Sequence, residues 1–93
     1  MIRSFRDRET QRVFLGLRSP RFPPEIQPRA LAKMRQLDQA ERLDNLREPP
    51  GNQLEALQGD RAGQHSVRIN RQWRVCFVWQ DDGPHDVEIT DYH

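Results

Sequence analysis

Two groups of side chains in the second half of the chain have the types and spacing that phosphate chemistry needs. Arg74 lies inside the most hydrophobic segment, Trp73-Arg74-Val75-Cys76-Phe77-Val78-Trp79, and the chain ends on Asp91-Tyr92-His93. A guanidinium holds a phosphate through two parallel hydrogen bonds. An imidazole titrates near neutral pH and moves protons, and the triplet adds an acid and a phenol. These residues are therefore candidates for an anion-binding site with acid–base groups beside it.

The alternation of side chains along the predicted strands decides which residues share a face. Trp73, Val75, Phe77 and Trp79 recur at every second position, so Arg74 points to the opposite side of the sheet. The same alternation separates Val67 and Ile69 from the polar residues between them. The face away from the hydrophobic residues then carries Arg68, Asn70, Arg74 and Cys76. Because exposed strand faces are routinely polar, the pattern alone leaves open an anion site and an ordinary solvated face.

Helix and strand signals place these residues on an α+β domain. Asp7 is typical of a helix N-cap, and Thr10, Val13, Phe14 and Leu17 follow at helical spacing. Pro24 suits the first turn of a second helix, which we expect to end near Ala40 with Leu31, Met34 and Leu37 on its buried side. Short strands are predicted at 2–5, 53–57, 66–70, 73–79 and around Val87 and Ile89. Helices followed by strands predict two N-terminal helices on one face of a small, mainly antiparallel sheet.

Charge and composition exclude several classes of protein. The 93 residues contain 15 Lys and Arg against 14 Asp and Glu, for a formal net charge of +1. A uniformly basic nucleic-acid coat is therefore excluded, whereas a local anion site is not. Residues 1–50 carry 11 basic and 7 acidic side chains, and residues 51–93 carry 4 and 7.

Redox, metal and targeting signals are also informative. Cys76 is the only cysteine, so the chain has no internal disulfide and no thiolate metal site. The His and Asp residues lack metal-ligand spacing, which predicts no metal and no cofactor. The N-terminus has no signal-peptide pattern, and the longest apolar run is too short to span a membrane. We expect a cytoplasmic protein with an inert strand cysteine.

Several motifs together resemble a known family. They are Pro49-Pro50-Gly51-Asn52, the stretch from Leu54 to Arg61, Ser66-Val67-Arg68-Ile69-Asn70, Gln72-Trp73-Arg74-Val75 and the terminal Asp86-Val87-Glu88-Ile89-Thr90-Asp91-Tyr92-His93. With them the chain resembles the HigB-type toxins of bacterial toxin–antitoxin systems, within the RelE/ParE superfamily, over nearly its whole length. The resemblance implies one toxin domain over residues 1–93. It also implies a ribosome-dependent mRNA endonuclease that needs no metal, in which the RNA 2′-OH attacks the adjacent phosphate and leaves a 2′,3′-cyclic end.

The resemblance also implies roles for individual residues. Arg74 matches the strand arginine that would stabilise the phosphorane, and Asp91, Tyr92 and His93 match the C-terminal catalytic set. We also predict RNA contacts from Arg61, His65, Arg68, Asn70 and Arg71, with the three arginines replacing in part the cations of relatives. Relatives commonly carry Lys at the positions of Gln58 and Ala62, so this chain has fewer cations than they do.

The implied partners are a HigA-like helix-turn-helix antitoxin, the ribosome and mRNA, with operator DNA contacted only through the antitoxin and no membrane. Two alternatives stay open. One is a ParE-like toxin that inhibits DNA gyrase by binding it, and the other is an attenuated member that acts only in complex with its antitoxin. Arg74 with the terminal Asp91-Tyr92-His93 favours RNA cleavage, because an inhibitor needs no acid–base group.

Overall fold

The computed structural model describes residues 1–91, so Tyr92 and His93 lie outside the described residues. Two helices precede a four-stranded antiparallel sheet with the strand order β1-β2-β3-β4. The bounds are α1 Arg8–Phe14, α2 Gln27–Gln39, β1 Glu55–Ala56, β2 His65–Arg68, β3 Trp73–Gln80 and β4 Gly83–Asp91. Short 3-10 turns cover Pro24–Ile26, Leu43–Arg47, Pro50–Asn52 and Gly59–Arg61. The α+β prediction with N-terminal helices is confirmed.

Asp7 caps α1 as predicted and also ties this helix to the sheet. Its carboxylate accepts hydrogen bonds from the Thr10 backbone N–H at 2.7 Å and from the Thr10 hydroxyl at 2.9 Å. The same hydroxyl accepts the Ile89 N–H at 3.0 Å, which joins α1 to β4. The helix ends earlier than the spacing predicted, because Gly16 adopts a left-handed conformation at φ +82°. Leu17 is therefore 49% exposed, and its predicted place on the apolar stripe is wrong.

Helix α2 follows the prediction more closely. The 3-10 turn from Pro24 leads into it, Pro28 lies in its first turn, and Ala40 follows its last residue. Met34 and Leu37 are fully buried, as predicted. Leu31 is only partly buried, and Ala30 is fully buried in its place.

The first residues of the chain run parallel to β4 rather than forming a regular strand. Backbone hydrogen bonds join Arg3 N–H to Pro84 O at 2.8 Å and Val87 N–H to Ser4 O at 3.1 Å. Only Phe5 and Val87 form a bridge, so the predicted strand at 2–5 is reduced to one point of pairing. Asp38 of α2 also holds the start of the chain, because its carboxylate accepts a hydrogen bond from the Ile2 N–H at 2.8 Å.

The sheet faces divide as the alternation predicted, but the second face is not solvated. Residues of β2, β3 and β4 that face the helices form the core with α2; they include Val67, Val75, Phe77, Val87 and Ile89. On the other face Ser66 and Cys76 are fully buried and Arg74 is 7% exposed. The cause lies in the β1–β2 connection, where Arg61 reaches across the sheet to Glu88 on β4. The interpretation of this face as an ordinary solvated surface is therefore wrong.

Within residues 1–91, no helix combines the length and the apolar character needed to cross a membrane.

Candidate nucleic-acid interface

Arg74 is held in place by neutral oxygen atoms. Its Nε donates to the Ser66 hydroxyl at 2.6 Å, and its Nη2 donates to the Gln53 carbonyl and to the Ser66 carbonyl, the latter at 3.4 Å. Gln53 has a left-handed backbone at φ 44°, which aims its carbonyl at the guanidinium. Within residues 1–91, no carboxylate lies within 4.0 Å of Arg74. Since a buried charge is costly unless it is paired, this fixed guanidinium is suited to bind an anion.

Arg74 lies in a cleft at the edge of the sheet where β2 ends and β3 begins. The cleft has a volume of about 360 Å³ and is lined by Gln53, Glu55, Arg68, Asn70, Arg71 and Arg74. We call it the Arg74 cleft. Arg68 is the direct cross-strand partner of Arg74 in the β2–β3 register. Like charges directly opposite each other in a sheet repel, so this pairing also favours a bound anion between them.

The β2–β3 turn positions Arg71 at the rim of this cleft. The side-chain oxygen of Asn70 accepts the backbone N–H groups of Gln72 and Trp73, both at 2.8 Å. This is the local turn that Asn side chains favour. The Asn70 side-chain oxygen is therefore used within the protein, and the group of this side chain that could bind RNA is its amide N–H₂.

A second basic cleft adjoins the first. Its volume is about 480 Å³, and it shares Arg68, Asn70 and Arg71 with the Arg74 cleft while adding Arg29 and Lys33 from α2. We call it the Lys33 cleft. Sequence reasoning missed both α2 residues. Their spacing of four places them on one helix face, but nothing local in the sequence indicates that this face meets the β2–β3 turn.

Both α2 cations are oriented by neutral groups. Lys33 Nζ donates to the Asn52 side-chain oxygen, and Arg29 Nη1 donates to the Ile69 carbonyl at 3.4 Å. Burial lowers the pKa of Lys33 from its ordinary value, and the neighbouring charge of Arg29 lowers it further. Together the two clefts hold five cations, and none has an ion-pair partner within residues 1–91.

Comparison with known proteins identifies the family of the chain. A family model described as the RelE-like toxin of the type II toxin-antitoxin system HigB matches residues 3–93. The chain belongs to this HigB-like toxin family.

Individual relatives agree with this membership. The chain is similar to Toxin HigB-1 of Vibrio cholerae serotype O1, with 40% identity over 60 residues. That match covers 64% of this chain and 63% of the cholera protein, so it spans less than two thirds of the relative's length. An uncharacterized protein of Haemophilus influenzae is 27% identical over 79 residues, which cover 84% of this chain and 78% of that protein.

Of the predicted RNA-binding residues, Arg68, Asn70 and Arg71 line the Arg74 cleft, whereas Arg61 and His65 do not. Arg61 pairs with Glu88 at 3.2 Å, over Cys76 rather than at the cleft. His65 shares a face with Val67, and its ring stacks on Phe77 with the centroids 6.3 Å apart. Its Nδ1 is buried with no hydrogen-bond partner in the described part of the chain. The sheet thus separates His65 from Arg68 and Arg74.

The structure gives a partial view of the implied catalytic set of the HigB-like chain. Thr90 is the cross-strand partner of Arg74, and Asp91 pairs with Trp73. By strand alternation the Asp91 side chain lies on the opposite face from Thr90, and its carboxylate accepts a hydrogen bond from Gln72 Nε2 at 3.2 Å. Tyr92 and His93, the other two members of the set, lie outside the described residues.

The single thiol of the chain belongs to Cys76, in β3. The Cys76 thiol is fully buried, and burial raises its pKa. This agrees with the prediction of an inert strand cysteine. Over residues 1–91 no three His, Cys, Asp or Glu side chains are grouped as metal ligands would be.

Proposed function

We propose that this HigB-like toxin is a ribosome-dependent mRNA endonuclease and that the Arg74 cleft binds the phosphate that is cleaved. The observation that carries the proposal is the buried Arg74 guanidinium, which neutral oxygens hold in a cleft lined by two more arginines. A donor fixed before the substrate arrives stabilises charge that develops in the transition state without reorganising.

The proposed reaction is transesterification within the RNA. The 2′-oxygen forms a bond to the adjacent phosphorus, and the bond from phosphorus to the 5′-oxygen of the next nucleotide breaks. The products are a 2′,3′-cyclic phosphate and a 5′-hydroxyl. One proton leaves the 2′-OH, and one is delivered to the departing 5′-oxygen. Arg74 neutralises the extra negative charge of the phosphorane between these two events.

We assign the proton transfers to the C-terminal set. His93 is proposed as the proton-transfer group, with Asp91 orienting it or serving as the base. Tyr92 is proposed to stack on a base or to assist at the phosphate. The family resemblance supplies this set of residues, whereas the division of roles among them is our inference, and none of the roles needs a bound metal.

Arg68 and Arg71 are proposed to hold the RNA backbone around the reacting phosphate, with Asn70 fixing the turn between them. Arg61 and His65 remain proposed RNA contacts, although both lie away from the Arg74 cleft. We also propose a HigA-like helix-turn-helix antitoxin as partner, through which operator DNA would be contacted, and action in the cytoplasm on translating ribosomes.

The test is to map mRNA 5′ ends and plasmid topology after inducing the toxin without its antitoxin. The proposal expects new 5′ ends inside translated frames and unchanged supercoiling. Induction of Arg74→Lys should produce none of these ends. A matched control is Arg47→Ala, because Arg47 is an exposed residue paired with Asp44 and lines neither cleft. Changed supercoiling without new 5′ ends would instead favour inhibition of gyrase, and neither change would favour action only in the antitoxin complex.

A further inference from the structure

The Lys33 cleft contains two cations that the proposed cleavage step does not use. Arg29 and Lys33 lie four residues apart on α2 and both line this cleft, next to the β2–β3 turn. The opposite wall is formed by Arg68 and Arg71, which also line the Arg74 cleft. The two clefts therefore adjoin at Arg68 and Arg71, and one extended ligand can lie in both.

A buried asparagine fixes the lysine in this cleft. Asn52 is fully buried, and its amide nitrogen donates to Gln36 Oε1 at 3.0 Å and to the carbonyls of Leu46 and Glu48 at 3.1 Å each. This leaves the Asn52 side-chain oxygen oriented toward Lys33 Nζ, which donates to it. The lysine is thus held by a fully hydrogen-bonded core residue, and this arrangement reduces the entropy lost when it binds a ligand.

The electrostatics of the cleft favour an anion. Within the described residues neither Arg29 nor Lys33 has a carboxylate partner. Burial and the Arg29 charge both lower the pKa of Lys33, so the cleft destabilises the ammonium form. A bound phosphate would reverse both effects by supplying a negative charge and hydrogen-bond acceptors.

We propose that Arg29 and Lys33 form a second phosphate subsite, which binds an RNA backbone phosphate next to the one held at Arg74. This inference rests on the proposed ribonuclease function. A polyanion is favoured over an acidic protein segment because the two clefts share a wall. A strand with one phosphate per nucleotide occupies both clefts at once, as in grooves that track single-stranded backbones.

The experiment measures the salt dependence of RNA binding. The probe is a 2′-O-methyl oligoribonucleotide of about eight nucleotides, whose length suits a short single-strand site and whose blocked 2′-oxygen prevents cleavage. We compare the wild-type toxin with the double variant Arg29→Gln/Lys33→Gln. Glutamine retains a donor toward Asn52 and Ile69 while removing the charge. Losing one phosphate contact should flatten the slope of log affinity against log salt by about 0.7.

Three variants make this comparison specific. Arg35→Gln removes a charge from an exposed position of the same helix and should leave the slope unchanged. Lys33→Arg keeps the charge and should retain the wild-type slope, which separates charge from packing. Arg74→Gln tests the first subsite and should weaken binding by itself. Thermal unfolding of each variant verifies that it is folded at the temperature of the titration.

The outcomes separate this inference from the proposed function. If Arg74→Gln weakens binding and the double variant leaves the slope unchanged, the second subsite is wrong and the ribonuclease proposal stands. If neither changes binding, both are wrong. An unchanged slope with weaker co-sedimentation on ribosomes also overturns the inference, because the two cations would then contact ribosomal RNA rather than the strand held at Arg74. An unchanged slope with weaker antitoxin binding overturns the inference in favour of an acidic protein surface.

Discussion

The two clefts and the opposite edge of the sheet use their cations in different ways. Along the first residues and β4, arginines are paired with acids: Arg3 with Asp82 at 3.5 Å, and Arg6 and Arg61 with Glu88 at 3.8 Å and 3.2 Å. We call this set of pairs the paired edge. The five cations of the two clefts have no such pair among residues 1–91, and Arg29, Lys33 and Arg74 donate to neutral oxygens.

This difference explains how a chain with a net charge of +1 offers a strongly basic surface. Exposed ion pairs contribute little to stability, so the main consequence of the paired edge is electrostatic. It neutralises positive charge in one region and leaves the positive potential concentrated at the clefts. Net charge is therefore a poor guide to nucleic-acid binding here, because the arrangement of the acids decides where the cations act.

The largest effect is expected at Arg74, where the cleft cation is buried. Arg74→Lys keeps the charge but loses the planar fork and its contacts with Ser66 and Gln53. The mRNA cleavage rate on programmed ribosomes should fall by about 10²–10³-fold, as for the loss of one preorganised transition-state donor. Arg47→Ala, which breaks an exposed pair, should stay within about twofold of wild type. Equal rates for Arg74→Lys and wild type would remove Arg74 from the mechanism.

The next largest effect is expected at Asn52, the buried asparagine that accepts a hydrogen bond from Lys33. Asn52→Ala leaves the buried Leu46 carbonyl and the part-buried Glu48 carbonyl without their donor, and the free energy of unfolding should fall by about 2–4 kcal/mol. Asn45 also accepts two backbone N–H groups, from Glu41 and Arg42, but in an exposed turn. Asn45→Ala should therefore cost less than about 1 kcal/mol, because water replaces the lost acceptor. Urea unfolding of both variants checks the difference, and equal losses would contradict it.

A smaller effect is expected at the centre of the paired edge. Glu88→Gln removes the negative charge that pairs with Arg6 and Arg61, and the free energy of unfolding should fall by less than about 1 kcal/mol. The loss should shrink further in high salt, because these pairs are partly exposed. Urea unfolding at low and high ionic strength measures it. A loss that is large and independent of salt would show that the edge pairs are structural.

The smallest effect is a pH dependence at the hairpin. A hydrogen bond from His85 lowers the pKa of Asp82, with a smaller contribution from the charge of Arg3. A carboxyl group with a lowered folded pKa adds stability above its unfolded pKa of about 3.9, and that stability is lost as the pH falls through the folded pKa. Wild type should therefore melt above Asp82→Asn at neutral pH, and the two should converge in acid. Asp81→Asn is the neighbouring control, and a constant difference across pH would contradict the assignment.

Local chemistry explains why much of the fold was predictable. The Asp7 cap, the prolines at the start of α2 and the alternation in β3 each depend on residues close in sequence. The errors arose where distant segments meet. Leu17 left the helix stripe because the chain turns at Gly16, and the face around Cys76 is buried because Arg61 crosses it to reach Glu88.

The candidate site shows the same division. Arg68, Asn70, Arg71 and Arg74 were predictable because one turn and two strands position them. Arg29 was not, since its contact with Ile69 joins residues 40 positions apart. Alternation placed Arg74 on the correct face, but only the packed structure shows that its partners are neutral, and this is the property on which the proposed function depends.

The most direct test of the central claim compares two asparagines whose side-chain oxygens each accept two backbone N–H groups. Asn70→Asp keeps the acceptor for Gln72 and Trp73 and adds a carboxylate to the shared wall of both clefts. Asn45→Asp makes the same change in net charge at a position that lines neither cleft.

The measurement is the affinity for the 2′-O-methyl oligoribonucleotide as a function of salt. The account predicts that Asn70→Asp weakens binding and flattens the slope by about 0.7, the value of one phosphate contact, while Asn45→Asp matches wild type. Equal weakening in both variants would contradict the account, because RNA affinity would then follow the net charge of the chain rather than the unpaired cations of its clefts.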